Sequence, residues 1–425
     1  MRFGNTLDSS TFSAFSRLGA RVRSRRRKHL PLCPRVDKGH RRLHARATPP
    51  TLRWSLNQAL PIPRGATHSP APPLSPEGAL ASGRWVKWIG GASNQDIPAI
   101  EDLAGIYTLA GVHCLDLAAD PAVVAAARGG IAWAVERGAR RPWLMVSLSD
   151  GADPHFRKAW FDPSRCPPDC PRPCARVCPA LAIADAEGVI SERCYGCGRC
   201  PPACPLGLIE ERQTFLAPND VAPLLAALQP DAVELHTQIG RGEDFAARLR
   251  QVLSANLPLR RLAVSCGLEG SVAEGLPSDA AALAQELWHR YGLLRAAGLR
   301  PLWQLDGRPM SGDVGAGTAH AAVALLRAVG PLAPPGPLQL AGGTNHHTLP
   351  LVERLPPSAP PVAGVAFGSV ARQRLQSPLL QAQSQGQRLL DLPHLLEPAL
   401  DLARALVLPW GQRRQPPTLP TPRDR

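Results

Sequence analysis

Apolar residues in this chain fall into short continuous runs, each followed by a longer run with helical spacing. W-V-K-W-I-G-G (85–91) is apolar, β-branched and closed by glycines, which predicts a strand. I-P-A-I-E-D-L-A-G-I-Y-T-L-A (97–110) has the 3.6-residue period of a helix. The pattern then repeats, predicting strands over 112–118, 143–149, 231–237, 260–266, 300–306, 337–345 and 362–369. Helices are predicted over 121–138, 243–253, 281–298, 318–330 and 348–355, with helical material on to about Leu408. Behind the third strand a cysteine-rich segment stands in place of a helix, from about Asp150 to Gln213.

Strict strand–helix alternation implies a parallel sheet. Eight units in roughly 260 residues, insert excluded, match a (β/α)8 barrel. An open doubly wound sheet is the alternative, because alternation does not prove closure. The expected fold class is therefore α/β: a (β/α)8-barrel-like domain with an inserted two-cluster ferredoxin-like α+β module and a disordered basic N-terminal arm. The boundaries follow from the pattern: 1–83 the basic, Pro-rich arm; 84–149 the first part of the barrel; 150–213 the insert; 214–409 the rest of the barrel; 410–425 a disordered tail.

Charge changes the picture only at the N-terminus. The net charge is +14, but residues 1–50 hold 13 Lys/Arg against 2 Asp/Glu. The basicity belongs to the arm, so nucleic-acid binding by the body is not expected. The arm reads as a nucleic-acid or membrane tail, a targeting peptide, or an upstream-extended start, and the last is preferred. No apolar run reaches the roughly 18 residues of a membrane span, so the protein is expected to be soluble and cytoplasmic.

Eight of the 11 cysteines lie between Cys166 and Cys204. Clustered cysteines in a long chain without a secretory signal point to metal rather than disulfides. Cys194, Cys197, Cys200 and Cys204, with Pro205 behind, fit the C-x2-C-x2-C-x3-C-P run of [4Fe-4S] ligands; structural zinc would show two C-x2-C pairs with a longer gap. Cys166, Cys170, Cys174 and Cys178 are spaced evenly by three intervening residues instead. Even so, Cys178-Pro179 with A-L-A-I parallels Cys204-Pro205 with L-G-L-I, the internal repeat of a two-cluster ferredoxin. The crossed assignment puts Cys178 with Cys194, Cys197 and Cys200, and Cys204 with Cys166, Cys170 and Cys174. Cys166 decides between two [4Fe-4S] clusters and a [3Fe-4S] form in the first-run site.

W-V-K-W-I-G-G-A-S-N-Q-D-I-P, R-P-C-A-R-V-C-P-A-L-A-I, R-C-Y-G-C-G-R-C and V-E-L-H-T-Q-I-G-R together resemble the cyanobacterial light-dependent period (LdpA) family. The resemblance covers about Arg84 to Pro409 and excludes the basic arm. It implies an iron–sulfur protein of the circadian-clock input pathway, with clusters that report electron-transport state and with clock-input proteins as partners.

Active sites of (β/α)8 barrels form at the C-terminal ends of the strands. The polar residues expected there are Asn94, Asp96, Asp116, His236, Cys266, Gln304, Asp306, Asn345, His346 and His347. Gly342, Gly343 and Thr344 after the seventh strand, and Gly368 and Ser369 after the eighth, are placed to bind a phosphate, with flavin mononucleotide (FMN) as the candidate. The insert follows strand three and should emerge over the same mouth. Two functions follow: a redox sensor whose cluster state changes partner binding, exchanging electrons with a redox partner or quinone, or a flavin- and cluster-dependent oxidoreductase acting on a small substrate. The lack of an evident dinucleotide fingerprint favours the sensor.

Overall fold

The computed structural model describes residues 74–185, 187–213, 215–268, 279–308 and 315–413. Most of the expected arm and tail lies outside the described residues. In chain order the elements are α1 (Pro76–Ala81), β1 (Trp85–Gly91), α2 (Ile97–Ala110), β2 (Cys114–Ala118), α3 (Pro121–Glu136) and β3 (Trp143–Ser149). The insert holds β4 (Arg157–Trp160), α4 (Pro173–Val177), β5 (Ile183–Ala184), β6 (Gly188–Val189), α5 (Cys200–Ala203) and β7 (Glu210–Gln213). Then come α6 (Pro218–Leu228), β8 (Ala232–His236), α7 (Gly242–Leu253), β9 (Arg261–Cys266), α8 (Ala280–Ala296), β10 (Pro301–Asp306), α9 (Ala319–Val329), β11 (Leu338–Ala341), α10 (Thr348–Glu353), β12 (Gly364–Phe367), α11 (Ser369–Ser384) and α12 (Pro393–Gly411).

The eight parallel strands close into a barrel in the order β1-β12-β11-β10-β9-β8-β3-β2, which removes the open-sheet alternative. Successive side chains point to opposite faces of a strand. Val86 and Trp88 of β1, Leu115 and Leu117 of β2, and Val264 and Trp303 of β9 and β10 belong to the large apolar layer shared with the helices. The positions between them point inward. Trp85, Cys114, Met145, Ala232, Ala263 and Leu302 form a second apolar cluster at the barrel floor. One step nearer the mouth the interior turns polar.

Two boundaries differ from the sequence expectation. Residues 76–81, assigned to the arm, form α1: Ser75 caps it by accepting from Gly78 N at 3.0 Å, and Ala79 and Leu80 join the floor cluster. A Ser-Pro start followed by apolar residues suits a first helical turn, and the Pro/Ser-rich surroundings hid it. At the other end α12 runs past residue 409 and buries Trp410. Arg84 Nε donates to Arg413 O at 3.0 Å, so 410–413 belong to the barrel and not to a tail. The insert also does not replace a helix. It precedes α6, the helix that completes the third β/α unit, so it is a long loop at the C-terminal end of β3.

No described helix is long and apolar enough to cross a membrane.

Candidate functional site

Within the insert the two cysteine runs adopt matching local structure. Cys174 lies in α4 and Cys178 caps its end with φ −76°, ψ 110°; Cys200 opens α5 and Cys204 caps its end with φ −77°, ψ 113°. Three residues after each cap the chain turns through the left-handed region, at Leu181 (φ 49°) and Gly207 (φ 62°). Glycine takes that conformation without strain and leucine does not, so the second half carries the relaxed version of the same turn. β4 pairs with β7 and β5 with β6, both antiparallel, and hold the two halves together.

The thiols fall into two groups of four. Cys178, Cys194, Cys197 and Cys200 line one small cavity, walled by Ala180, Ala182, Ile183, Val189 and Tyr195. Burial, followed by Cys197, Cys194 and Cys178, pushes the Cys200 thiol up to about 12. Burial and then Cys204 and Cys170 raise Cys174, and burial, Cys170 and Cys174 raise Cys166. The second group is thus Cys166, Cys170, Cys174 and Cys204, set against Phe161, Leu208 and Ile209. Thiolates crowded in this way repel one another unless positive charge sits among them. An iron–sulfur cluster supplies that charge and wants four sulfur ligands in an apolar pocket with N–H groups aimed at sulfur. Those N–H groups are present. Ala182 N donates to Cys178 Sγ at 3.2 Å and Ala159 N to Cys194 Sγ at 3.4 Å. At Cys204 burial raises the thiol, but N–H groups of Leu208, Leu206, Gly207 and Ile209 outweigh it and hold the thiol below its ordinary value. Both groups therefore fit the four-sulfur set of a cluster.

The barrel interior above the apolar floor is one connected polar network. Lys87 Nζ donates to Asp116 Oδ2 at 2.9 Å and also to Glu234 Oε2. Ser147 Oγ donates to Asp116 Oδ1 at 2.7 Å. Gln304 Nε2 donates to Glu234 Oε1 at 2.8 Å and to Ser265 Oγ at 3.0 Å, and Ser265 Oγ donates to Asp306 Oδ2 at 2.5 Å. His236 Nε2 lies 3.2 Å from Glu234 Oε1. Burial alone would push the Lys87 ammonium down, but Asp116 and Glu234 outweigh it and hold it protonated. Burial raises Glu234, yet Lys87 and His236 bring it down to about 2. Asp306 is pushed up to about 6, mainly by burial. Barrel interiors are ordinarily filled with apolar side chains. A buried ionic layer is a weak route to stability and a frequent mark of a functional site.

Asp116, His236 and Asp306 line the mouth pocket as the sequence suggests, together with Gly342, Gly343, Thr344, Gly368 and Ser369. Gln304 is there too. Asn345 is not: its Nδ2 donates to Gly315 O at 3.0 Å and its Oδ1 accepts from His347 N at 2.8 Å, so it ties two loops together. Asn94 and Asp96 hold Gly90 O and the first turn of α2, and Cys266 packs outward in the helix-side core. Gly342 and Gly343 have positive φ (64° and 84°), and a Cβ on Gly342 would lie 2.8 Å from Arg308 N, so that loop needs glycine to pack against the neighbouring loop.

Sequence reading missed Lys87, Ser147, Glu234 and Ser265. The available signal was a charge at the inward-pointing position of an apolar strand, as in W-V-K-W and A-V-E-L-H. It also missed Tyr195 and Arg199, which reach the pocket from the insert. Tyr195 and Cys197 line both this pocket and the cysteine cavity, so the two sites share a wall. The Arg372 guanidinium from α11 stacks 3.5 Å over the Tyr195 ring and donates to Gly90 O.

Comparison with known proteins accounts for both halves. Residues 166–215 match the family model described as "LdpA Fe-S cluster-binding domain", and residues 224–409 match "Light dependent period A C-terminal domain". The chain is 48% identical over 342 residues to Light dependent period A of Synechococcus elongatus, covering 79% of this chain and 93% of that protein. Among solved structures, a rubisco-like protein from Alicyclobacillus acidocaldarius matches with TM-score 0.34 at 15% identity, over 78% of this chain and 71% of that one. Tryptophan synthase from Mycobacterium tuberculosis matches with TM-score 0.36 at 14% identity, over 78% and 96%. Overlaps this loose say nothing about function. The extended identity and the two domain models together show that the chain belongs to the light dependent period A family and carries its Fe-S cluster-binding domain.

Proposed function

We propose that this protein is a two-cluster redox reporter. Cys178, Cys194, Cys197 and Cys200 hold one [4Fe-4S] cluster, and Cys166, Cys170, Cys174 and Cys204 hold the other. In the cyanobacterial cytoplasm the clusters report light-dependent electron-transport state to clock-input proteins. The observation that carries this reading is the crossed grouping: the last cysteine of each run lies with the first three of the other, as in two-cluster ferredoxins. When bound, the clusters supply one-electron chemistry. The chain's part is to aim backbone N–H groups at Cys178, Cys194 and Cys204, to keep water from the apolar cavity, and to set one cluster against the barrel wall through Tyr195 and Cys197. Because that wall is shared, a change in cluster charge is felt by the barrel mouth and by the Arg372–Tyr195 stack.

The second reading is an oxidoreductase in which the barrel binds FMN. It is supported by the Gly342–Thr344 and Gly368–Ser369 loops, which face the mouth beside the start of α11, the setting in which such barrels take phosphate. Anaerobic purification with iron, sulfide and flavin quantification separates the two. The reporter reading expects about eight irons per chain and no stoichiometric flavin. Bound flavin in equal amount would establish the enzyme instead, about seven irons would assign a three-iron form to the Cys166 group, and stoichiometric zinc without iron would overturn both.

A further inference from the structure

Where the insert leaves the barrel, two histidines and a carboxylate converge in a place that the clusters do not use. Asp153 starts the turn that follows β3 and accepts from His155 N at 2.8 Å. Its Oδ1 also lies 2.8 Å from His155 Nδ1 and 3.8 Å from His236 Nδ1, across from β8. One donor atom from each of the three residues can be chosen so that all lie within 4.8 Å of one another. Asp153 and His236 are 7% and 5% exposed, and Phe156 packs edge-on against the His236 ring. Atoms bound to one ion at about 2.1 Å stand roughly 3 to 3.5 Å apart, and the 2.8 and 3.8 Å separations straddle that spacing.

Two independent features favour an ion here. The first is the hydrogen bond behind His236. Its Nε2 faces Glu234 Oε1 at 3.2 Å, and Glu234 is itself fixed by Lys87 and Gln304. A metal-binding histidine ordinarily has such a carboxylate on its other nitrogen, which orients the ring and makes it more basic. The second is charge. Asp116, Asp153, Glu234 and Asp306 are all buried around this mouth. Lys87 pairs with Asp116 and Glu234, Arg199, Arg308 and Arg372 line the pocket, and Asp153 faces the His155 and His236 imidazoles. Uncompensated buried carboxylates are costly, so the cluster draws in positive charge, either protons on the imidazoles or a dication.

We propose that Asp153, His155 and His236 form a mononuclear site for a divalent first-row transition metal, separate from the cysteine clusters and open toward the barrel mouth. Two imidazoles and one carboxylate suit iron(II), manganese, cobalt or zinc better than magnesium or calcium. Three protein ligands leave positions free, and His155, His236 and Asp306 all line the mouth pocket. The free positions take an oxygen donor from a small organic acid or phosphate ester, whose negative charge meets Arg199 in the lining of the same pocket.

The test uses the full chain, purified anaerobically and reconstituted with iron and sulfide. Manganese(II) is chosen as the probe because it binds thiolates poorly, and free manganese(II) is followed by electron paramagnetic resonance. One ion per chain should bind, and Asp153→Asn and His236→Gln should each weaken binding by more than the roughly 10- to 100-fold that loss of an outer-shell partner brings, with cluster content unchanged. His155→Gln alters the partly exposed ring and covers the case in which a buried variant fails to fold. Wild-type binding no tighter than that of the folded variants would overturn the site, leaving an imidazole–carboxylate network that holds protons only. Cluster content is read in the same samples, so loss of the cluster reading and loss of the metal site are distinguishable.

Discussion

The Lys87 ammonium lies 2.9 Å from the Asp116 carboxylate, and both side chains are buried in the centre of the barrel. Replacing the lysine leaves Asp116 and Glu234 without their cation. Lys87→Met should destabilise the folded chain by about 3–5 kcal/mol, the usual cost of breaking a buried pair. Adding Glu234→Gln should recover part of that loss, because one of the stranded charges disappears. Urea unfolding followed by circular dichroism measures both. A Lys87→Met protein as stable as the wild type would show that the layer is not ionic.

The barrel floor carries its own pH dependence. His113 Nδ1 accepts from Val86 N at 3.1 Å, and its ring stacks on Trp85 at 6.0 Å. Burial, reinforced by Arg140, lowers the imidazole from 6.5 to about 4. The folded value lies below the unfolded one, so the fold stabilises the neutral ring. That contribution is fully present above pH 6.5 and is lost as pH falls through 4, with a size on the order of 3 kcal/mol. The stability difference between wild type and His113→Gln should shrink over that window, as read from urea midpoints at a series of pH values. A difference independent of pH between 6.5 and 4 would refute the assignment.

Gly196 sits between Tyr195 and Cys197 with φ 68°, and a Cβ there would stand 2.0 Å from the carbonyl oxygen of Arg157. That oxygen belongs to β4, so neither side can yield without opening the insert. Gly196→Ala should fold as a barrel but lose the cluster of Cys178, Cys194, Cys197 and Cys200, with iron content falling to about half. Full iron content in this variant would contradict the placement of that loop.

Leu181 takes the left-handed turn that Gly207 takes in the other half. Leu181→Gly should relieve roughly 1 kcal/mol of strain, visible as slower loss of cluster absorbance on exposure to air. Faster loss would mean that the leucine side chain contributes more than its backbone costs.

Much of this architecture was legible in advance because each barrel strand is an apolar run bounded by glycine or proline, and each helix shows its period. β1 and α2 fall where their residues predict, to the residue. The parallel between Cys178-Pro179 and Cys204-Pro205 also carried real geometry, since both caps share one backbone conformation. What the pattern concealed was direction. A residue at a strand end is known to be near the mouth, but not whether it faces the pocket, as Asp306 does, or a neighbouring loop, as Asn345 does. Lys87 was overlooked for the opposite reason: a charge inside an apolar strand looks like an interruption until barrel closure turns it inward beside Asp116 and Glu234. α1 and α6 were lost beside stretches whose composition drew attention elsewhere.

The crossed ligation is the centre of the account, and iron-57 Mössbauer spectra of single cysteine variants test it most directly. If the grouping holds, Cys178→Ser perturbs the same cluster as Cys197→Ser, and Cys204→Ser the same cluster as Cys174→Ser. The account is contradicted if Cys178→Ser instead perturbs the cluster that Cys174→Ser perturbs, for then each run would hold its own cluster and the two halves would not be exchanged.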